Sequence, residues 1–99
     1  MRITDAEAAA IRRVTNEVAG LQARVTLFGS RTDDALKGGD IDLWIALPAL
    51  TPDKLSVALK ASARLQLLIG ERKIDVLVTD PQSEETPLIR AARRVGIPL

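Results

Sequence analysis

The sequence predicts an α/β (α+β) fold: a small mixed sheet of three or more strands flanked by helices, in a single domain spanning residues 1–99. Three observations predict it. Apolar residues recur at helical spacing in three segments and at strand spacing in three others. The segments run helix, strand, strand, helix, strand, helix, and the helical crossover between the second and third strands permits a parallel pair there. The strands are short enough to share one layer, and their apolar faces need helices to cover them.

Each element has its own signal. Thr4-Asp5-Ala6-Glu7 has the form of a capping box, in which the Thr hydroxyl accepts from the third helical amide and the Glu reaches back to the Thr amide. Ile11, Val14, Val18 and Leu21 then repeat at helical spacing and Gly20 supplies a stop, so a helix is expected over residues 5–19. Residues 24–28, Arg-Val-Thr-Leu-Phe, form a strand rich in β-formers that Gly29-Ser30 breaks. Residues 31–39 are polar, end in Gly38-Gly39 and are expected to form a loop. Residues 40–47 alternate with period two: Ile41, Leu43, Ile45 and Leu47 face one way, Asp40, Asp42, Trp44 and Ala46 the other.

Thr51 followed by Pro52 reads as a cap with proline at the first helical position. Leu55, Ala58, Leu59, Ser62, Leu65 and Ile69 continue that helix until Gly70. Residues 73–79 form the third strand, with Ile74, Val76 and Val78 on one face and Asp75 and Leu77 on the other. Thr86-Pro87 repeats the cap-plus-proline start for a last helix through Val95, closed by Gly96 and Pro98.

Composition excludes whole classes of chemistry. The chain has neither Cys nor His, which removes disulfides, thiolate metal sites, cysteine nucleophiles and His-based triads. It has one Trp, one Phe and no Tyr, so a stacking platform for single-stranded nucleic acid is not expected. Fourteen basic against thirteen acidic residues leave a net charge of +1 and no general attraction for nucleic acid or an acidic membrane. No run of 18 apolar residues is present, and the start of the chain turns acidic at Asp5 before any apolar run, so neither a membrane span nor a signal peptide is expected and the setting is taken as cytoplasmic. What chemistry there is must run on carboxylates, hydroxyls, Lys, Arg and backbone amides, and carboxylates alone suit a hard cation such as Mg²⁺.

One constellation stands out: Gly29-Ser30, nine residues, Asp40-Ile41-Asp42, then Asp75 on the next strand. Asp40 and Asp42, two apart on a strand, project from one face with Cα atoms roughly 6.5–7 Å apart. Side chains at that spacing can grip one cation, or two about 3.5–4 Å apart. Asp is a poor strand former, and like charges side by side raise a carboxyl pKa, so acids set among Ile, Leu and Val run against local preference unless something positive sits beside them. Asp75 interrupts Ile74-Asp75-Val76-Leu77-Val78 in the same way. Gly29 lets backbone approach a ligand, Ser30 offers a hydroxyl, and Arg31, Lys37 and Lys73 are candidates for neutralising phosphate charge. Taken singly, each feature has a plainer reading: a turn at Gly29-Ser30, a hinge at Gly38-Gly39, a solvated strand edge at Asp40-Ile41-Asp42. Trp44 shares the aspartate face and either packs in a core or stacks on a base, and Arg90, Arg93 and Arg94 form a basic stripe whose default is a solvated face.

Leu27-Phe28-Gly29-Ser30-Arg31 and Gly39-Asp40-Ile41-Asp42-Leu43-Trp44-Ile45, with Asp75 on a later strand, resemble the signature of the DNA polymerase β-like nucleotidyltransferase superfamily, and within it the single-domain minimal nucleotidyltransferases. The resemblance covers residues 25–78. It implies a nucleotidyltransferase fold in which Asp40, Asp42 and Asp75 hold two Mg²⁺ ions, Asp75 orients or deprotonates an acceptor hydroxyl, and Gly29 and Ser30, helped by Arg31 and Lys73, bind the phosphates of an NTP, with ATP the expected nucleotide. It further implies transfer of a nucleoside monophosphate to a hydroxyl, with a small helical protein of the HEPN type as partner in a toxin–antitoxin pair. The chain departs from many relatives at Thr32-Asp33-Asp34, where an Ala-Arg-Gly run is usual, so two acids stand where an arginine would face phosphate. Two further expectations compete with the enzyme: a catalytically weak module of the same fold that neutralises a partner by contact alone, and a small nucleic-acid-binding protein resting only on the arginine stripe.

Overall fold

The computed structural model describes residues 3–29, 40–70 and 72–99. Helix α1 spans Asp5–Ala19 and opens on the expected capping box: the Glu7 amide donates to Thr4 Oγ1 at 3.0 Å and the Thr4 amide donates to Glu7 Oε1 at 2.8 Å. Asp5 and Glu7 place negative charge in the first turn, where the helix dipole favours it. Strands β1 (Arg24–Phe28), β2 (Ile41–Ala46), β3 (Ile74–Thr79) and β4 (Ile97–Pro98) form one sheet in the order β3-β2-β1-β4. β1 runs antiparallel to β2 and β4, and β2 runs parallel to β3 through the crossover helix α2 (Lys54–Ile69). Helix α3 (Pro87–Val95) follows β3. The fold is a mixed α+β architecture, with three helices and a four-stranded mixed sheet among the described residues.

The two faces of the sheet are covered differently. Ile41, Leu43 and Ile45, the apolar phase of β2, are fully buried with Leu27, Ile11, Val14, Ala61 and Leu65 between the sheet and helices α1 and α2. Each such aliphatic side chain contributes about 1.5–3 kcal/mol by leaving water. The opposite phase meets α3 in a smaller core of Phe28, Trp44, Ile89 and Ala92.

Helix α3 begins as read, with the Thr86 side chain accepting from the Ile89 amide and Pro87 in the first turn. Helix α2 does not begin at Thr51. Its cap is Asp53, which accepts from the Ser56 amide at 3.0 Å. The reason is tertiary. The Thr51 amide donates to Asp80 Oδ2 at 3.0 Å, and the Thr51 hydroxyl donates to the Ala49 carbonyl, so Thr51 holds the loop against the end of β3. Asp80 also accepts from the Gln82 amide and from Lys54 Nζ, and these donors hold its carboxyl down to about 2.

The fourth strand, within the expected three or more, forms in a segment read from the sequence only as the close of α3. The Leu99 amide donates to the Val25 carbonyl at 2.9 Å, so alternate amides of this segment face β1 and position 98 faces outward. Pro98 has no N–H to leave unpaired there, which makes it compatible with an edge strand. An ion pair between Arg72 and Glu7 at 2.8 Å ties the entry to β3 to the start of α1. Among the described residues no helix is long and apolar enough to cross a membrane.

Candidate active site

Register places the candidate residues. In the β1–β2 pair Phe28 lies opposite Asp42, and in the β2–β3 pair Asp42 lies opposite Asp75. In-register neighbours on adjacent strands project from the same face. Phe28, Asp42 and Asp75 therefore form one row across three strands, at the end of the sheet where β1 stops and β2 and β3 begin. The next row is Thr26, Trp44 and Leu77, on which α3 packs through Ile89 and Ala92. The helix thus covers the second row, and the acid row lies beyond it.

Gly29 follows Phe28 with φ +76°, a left-handed conformation that costs other residues roughly 1–2 kcal/mol. A Cβ built there would lie 2.4 Å from Asp42 Oδ2 and 3.2 Å from Asp42 Cγ. The backbone at Gly29 is therefore packed directly on the Asp42 carboxyl group, and the absence of a side chain is required both by the turn and by that approach.

Asp42 is half-buried, and its carboxyl pKa is raised. Burial is the largest cause, followed by the charges of Asp75 and Asp40 and by a side-chain hydrogen bond with Asp75, while the Lys73 ammonium works in the opposite direction. Asp75, Asp40 and Lys73 are exposed. Asp40 sits one residue before β2, and the Ile41 amide beside it donates to the Lys73 carbonyl at 2.9 Å, which brings the Lys73 backbone alongside the start of β2.

The structure thus sets the Gly29 backbone against the Asp42 carboxyl group and Asp75 beside Asp42 in register, with Asp40 and Lys73 near enough for their charges to act on Asp42. It does not gather the three carboxylates into a finished cage: among the described residues no three acidic side chains converge on one cation position. Ser30, Arg31, Lys37, Gly38-Gly39 and the Thr32-Asp33-Asp34 departure lie outside the described residues.

The donor set fits an oxygen-liganded divalent cation. Asp42 and Asp75 set two carboxyl groups side by side against their mutual repulsion, and a divalent cation between them would relieve that repulsion. Asp40 must turn toward them to supply a third ligand.

Phe28 is a contributor that the sequence reading did not single out. Buried beside Asp42, it walls one side of the row; the available signal was its period-two phase with Thr26, one residue before Gly29. Trp44 takes the core alternative. It is buried, its Nε1–H donates to Thr79 Oγ1 at 2.8 Å, and the Arg93 guanidinium lies 5.4 Å from its ring centroid, so its face is engaged within the protein. The arginine stripe is accordingly only partly a solvated face. No family model matches this chain, and no curated protein matches it.

Proposed function

We propose that this chain is a Mg²⁺-dependent nucleotidyltransferase of the minimal class, acting in a cytoplasmic setting, that transfers a nucleoside monophosphate, AMP from ATP, to a hydroxyl on a partner protein. The observation that carries this reading is the in-register pair Asp42–Asp75 with the Gly29 backbone pressed against it. The reading joins that geometry to the sequence resemblance, which also supplies the antitoxin role beside a small helical HEPN-type partner.

In this reading Asp42 and Asp75, joined by Asp40, hold the metal, which when bound neutralises triphosphate charge and lowers the cost of ionising the acceptor hydroxyl. The backbone at Gly29 and the neighbouring Ser30 and Arg31 take the phosphates, and the Lys73 ammonium offsets negative charge at the same end of the sheet. Asp75, the exposed acid of the pair, receives the acceptor proton. The acceptor oxygen then bonds to the α-phosphorus, the bond from that phosphorus to the bridging oxygen of the β-phosphate breaks, and pyrophosphate leaves with the electron pair. Positioning, charge neutralisation and a carboxylate base are what this reading requires, so a site without His is sufficient.

The test is to co-express the chain with its genomic neighbour, supply Mg²⁺ and ATP, and read pyrophosphate release together with the intact mass of the neighbour. A mass gain of one nucleoside monophosphate with wild type, and none with Asp42→Asn, is expected. Failure of wild type to bind ATP in a Mg²⁺-dependent way overturns the reading.

A contact-only module of the same fold is the second reading. It is favoured by Leu55 and Leu59, one helical turn apart on α2 and 69% and 61% exposed, which suit contact with another protein. It predicts that Asp42→Asn leaves complex formation intact and that the neighbour's mass never changes.

A further inference from the structure

The opposite end of the sheet carries the opposite charge. Arg24 opens β1, four residues before Phe28, which at ~3.3 Å per residue places it about 13 Å from the acid row. Around it a cavity of about 570 Å³ runs past the short edge strand β4. Its charged lining is three arginines from three elements: Arg12 of α1, Arg24 of β1 and Arg93 of α3. Among the described residues no Asp or Glu lines it. Its remaining wall is largely apolar, with Trp44, Ala46, Ala92 and Pro98 among the contributors.

Of the three, Arg24 is the one without a polar partner among the described residues. Arg93 pairs with Glu85 as well as lying over Trp44. Arg12 donates to the main-chain oxygen of Leu99, the last residue of the sequence, at 3.4 Å. Among the described residues Arg24 has no Asp or Glu partner, nor has Arg12. Arg13, Arg64 and Arg72 meet glutamates, while Arg90 and Arg94, outside the cavity, meet no Asp or Glu among the described residues.

We propose that this cavity binds a small amphipathic organic anion: one acidic group, carboxylate or phosphate, on an apolar ring or short chain. The volume lies within the range of small-molecule sites, which are apolar cavities oriented by a few polar groups. The planar guanidinium fork of Arg24 takes the acidic group, since its paired N–H donors match two oxygens. The Ala46, Ala92 and Pro98 wall takes the apolar body, which separates such a ligand from a hydrated inorganic ion. The ligand's body rests on aliphatic surface rather than stacking on Trp44, because Arg93 already occupies that ring face. The site is remote from the acid row and stands or falls independently of the nucleotidyltransferase reading.

The single tryptophan makes the test direct, because the protein has one indole N–H resonance and it belongs to the cavity wall. ¹⁵N-labelled protein is titrated with hexanoate and benzoate, with the neutral hexanamide and benzamide, and with inorganic phosphate. Saturable shifts of the Trp44 indole and of the Thr26 and Gly96 amides are expected for the two organic anions. Loss of the charge-assisted hydrogen bonds weakens the neutral amides by about tenfold or more. Arg24→Gln weakens both anions similarly while keeping its dispersed amide spectrum, and Lys60→Gln, the same charge change at an exposed position outside the cavity, does not. The proposal is overturned by no saturable shift in the millimolar range, by amides or inorganic phosphate binding as well as the organic anions, or by Arg24→Gln and Lys60→Gln behaving alike.

Discussion

Replacing Gly29 with alanine imposes two separable costs. The left-handed φ of +76° costs alanine roughly 1–2 kcal/mol, offset by about 0.4–1 kcal/mol because alanine narrows the unfolded ensemble, for a net of about 1 kcal/mol. The new Cβ also meets Asp42 Oδ2 at 2.4 Å, so the carboxyl group must rotate away. An off-rotamer side chain costs about 0.5–1.5 kcal/mol. Gly29→Ala is therefore expected to destabilise by about 2 kcal/mol. In an Asp42→Ala background the collision disappears and only the backbone cost of about 1 kcal/mol remains. Urea unfolding of wild type, both single variants and the double variant in chelator measures the coupling directly, and a value of about 1 kcal/mol is expected. Additivity within about 0.5 kcal/mol would refute the claim that the turn backbone and the Asp42 carboxyl occupy one another's space.

Three further outcomes follow from the same geometry. Strands in register are ~4.8 Å apart, so after solvent screening at a half-buried site the Asp42–Asp75 repulsion is about 1 kcal/mol. A raised carboxyl pKa means that stability is highest at low pH and is lost as pH rises through the raised value, so Asp42→Asn should melt about 4–8 °C above wild type at pH 7.5 in chelator. Mg²⁺ should raise the wild-type melting temperature and leave the variant's unmoved; an equal response of both proteins would place the cation elsewhere. Asp80 has the reverse sign: its carboxyl is lowered from 3.8 to about 2, so its contribution is full above about pH 4 and fades as pH falls through about 2. Asp80→Asn should lower the melting temperature at pH 7, with the gap to wild type closing over that acid interval in a pH series of thermal scans. Glu7→Gln weakens a capping partner and the Arg72 ion pair together, and equilibrium unfolding should show a loss of about 1–3 kcal/mol that Arg72→Ala does not simply add to.

Where a local rule decides the structure, the sequence is readable to the residue. Helix α1 has its boundaries in its own capping box and glycine, β2 has its faces in a strict two-residue period, and α3 has its start in Thr86-Pro87. The failures are tertiary. Thr51-Pro52 carries a good helix-start signal, but Asp80, 29 residues away, accepts from the Thr51 amide and moves the cap to Asp53. Strand β4 is two residues long and includes a proline, a residue that argues against a strand until the chain is seen on an edge where the missing donor faces outward. Phe28 escaped notice as a site residue because its role depends on the β1–β2 register, which the intervening segment does not specify. The reverse holds for Asp42 and Asp75: their common face was legible from alternation, and the parallel register then set them side by side.

Every component of the acid row has an ordinary explanation by itself, and the case for a site lies in their coincidence. Asp is among the poorest strand formers, at a cost of up to about 1 kcal/mol per position, and a stability-driven sequence would scatter such residues along edges and turns. Here both interior acids occupy one row, on adjacent strands, with their like charges in contact. The one described glycine packed on a carboxylate, Gly29, closes the same row. A second conflict lies at the far end of the sheet, where, among the described residues, arginines from three elements and no Asp or Glu line one largely apolar cavity. Arg93 has Glu85 as its counter-charge, but Arg24 has none, unlike Arg13, Arg64 and Arg72. Departures from local preference without internal compensation are expected where a sequence answers to something other than stability. That the two departures are opposite in sign and about 13 Å apart along one strand makes them separate demands, one for a cation and one for an anion.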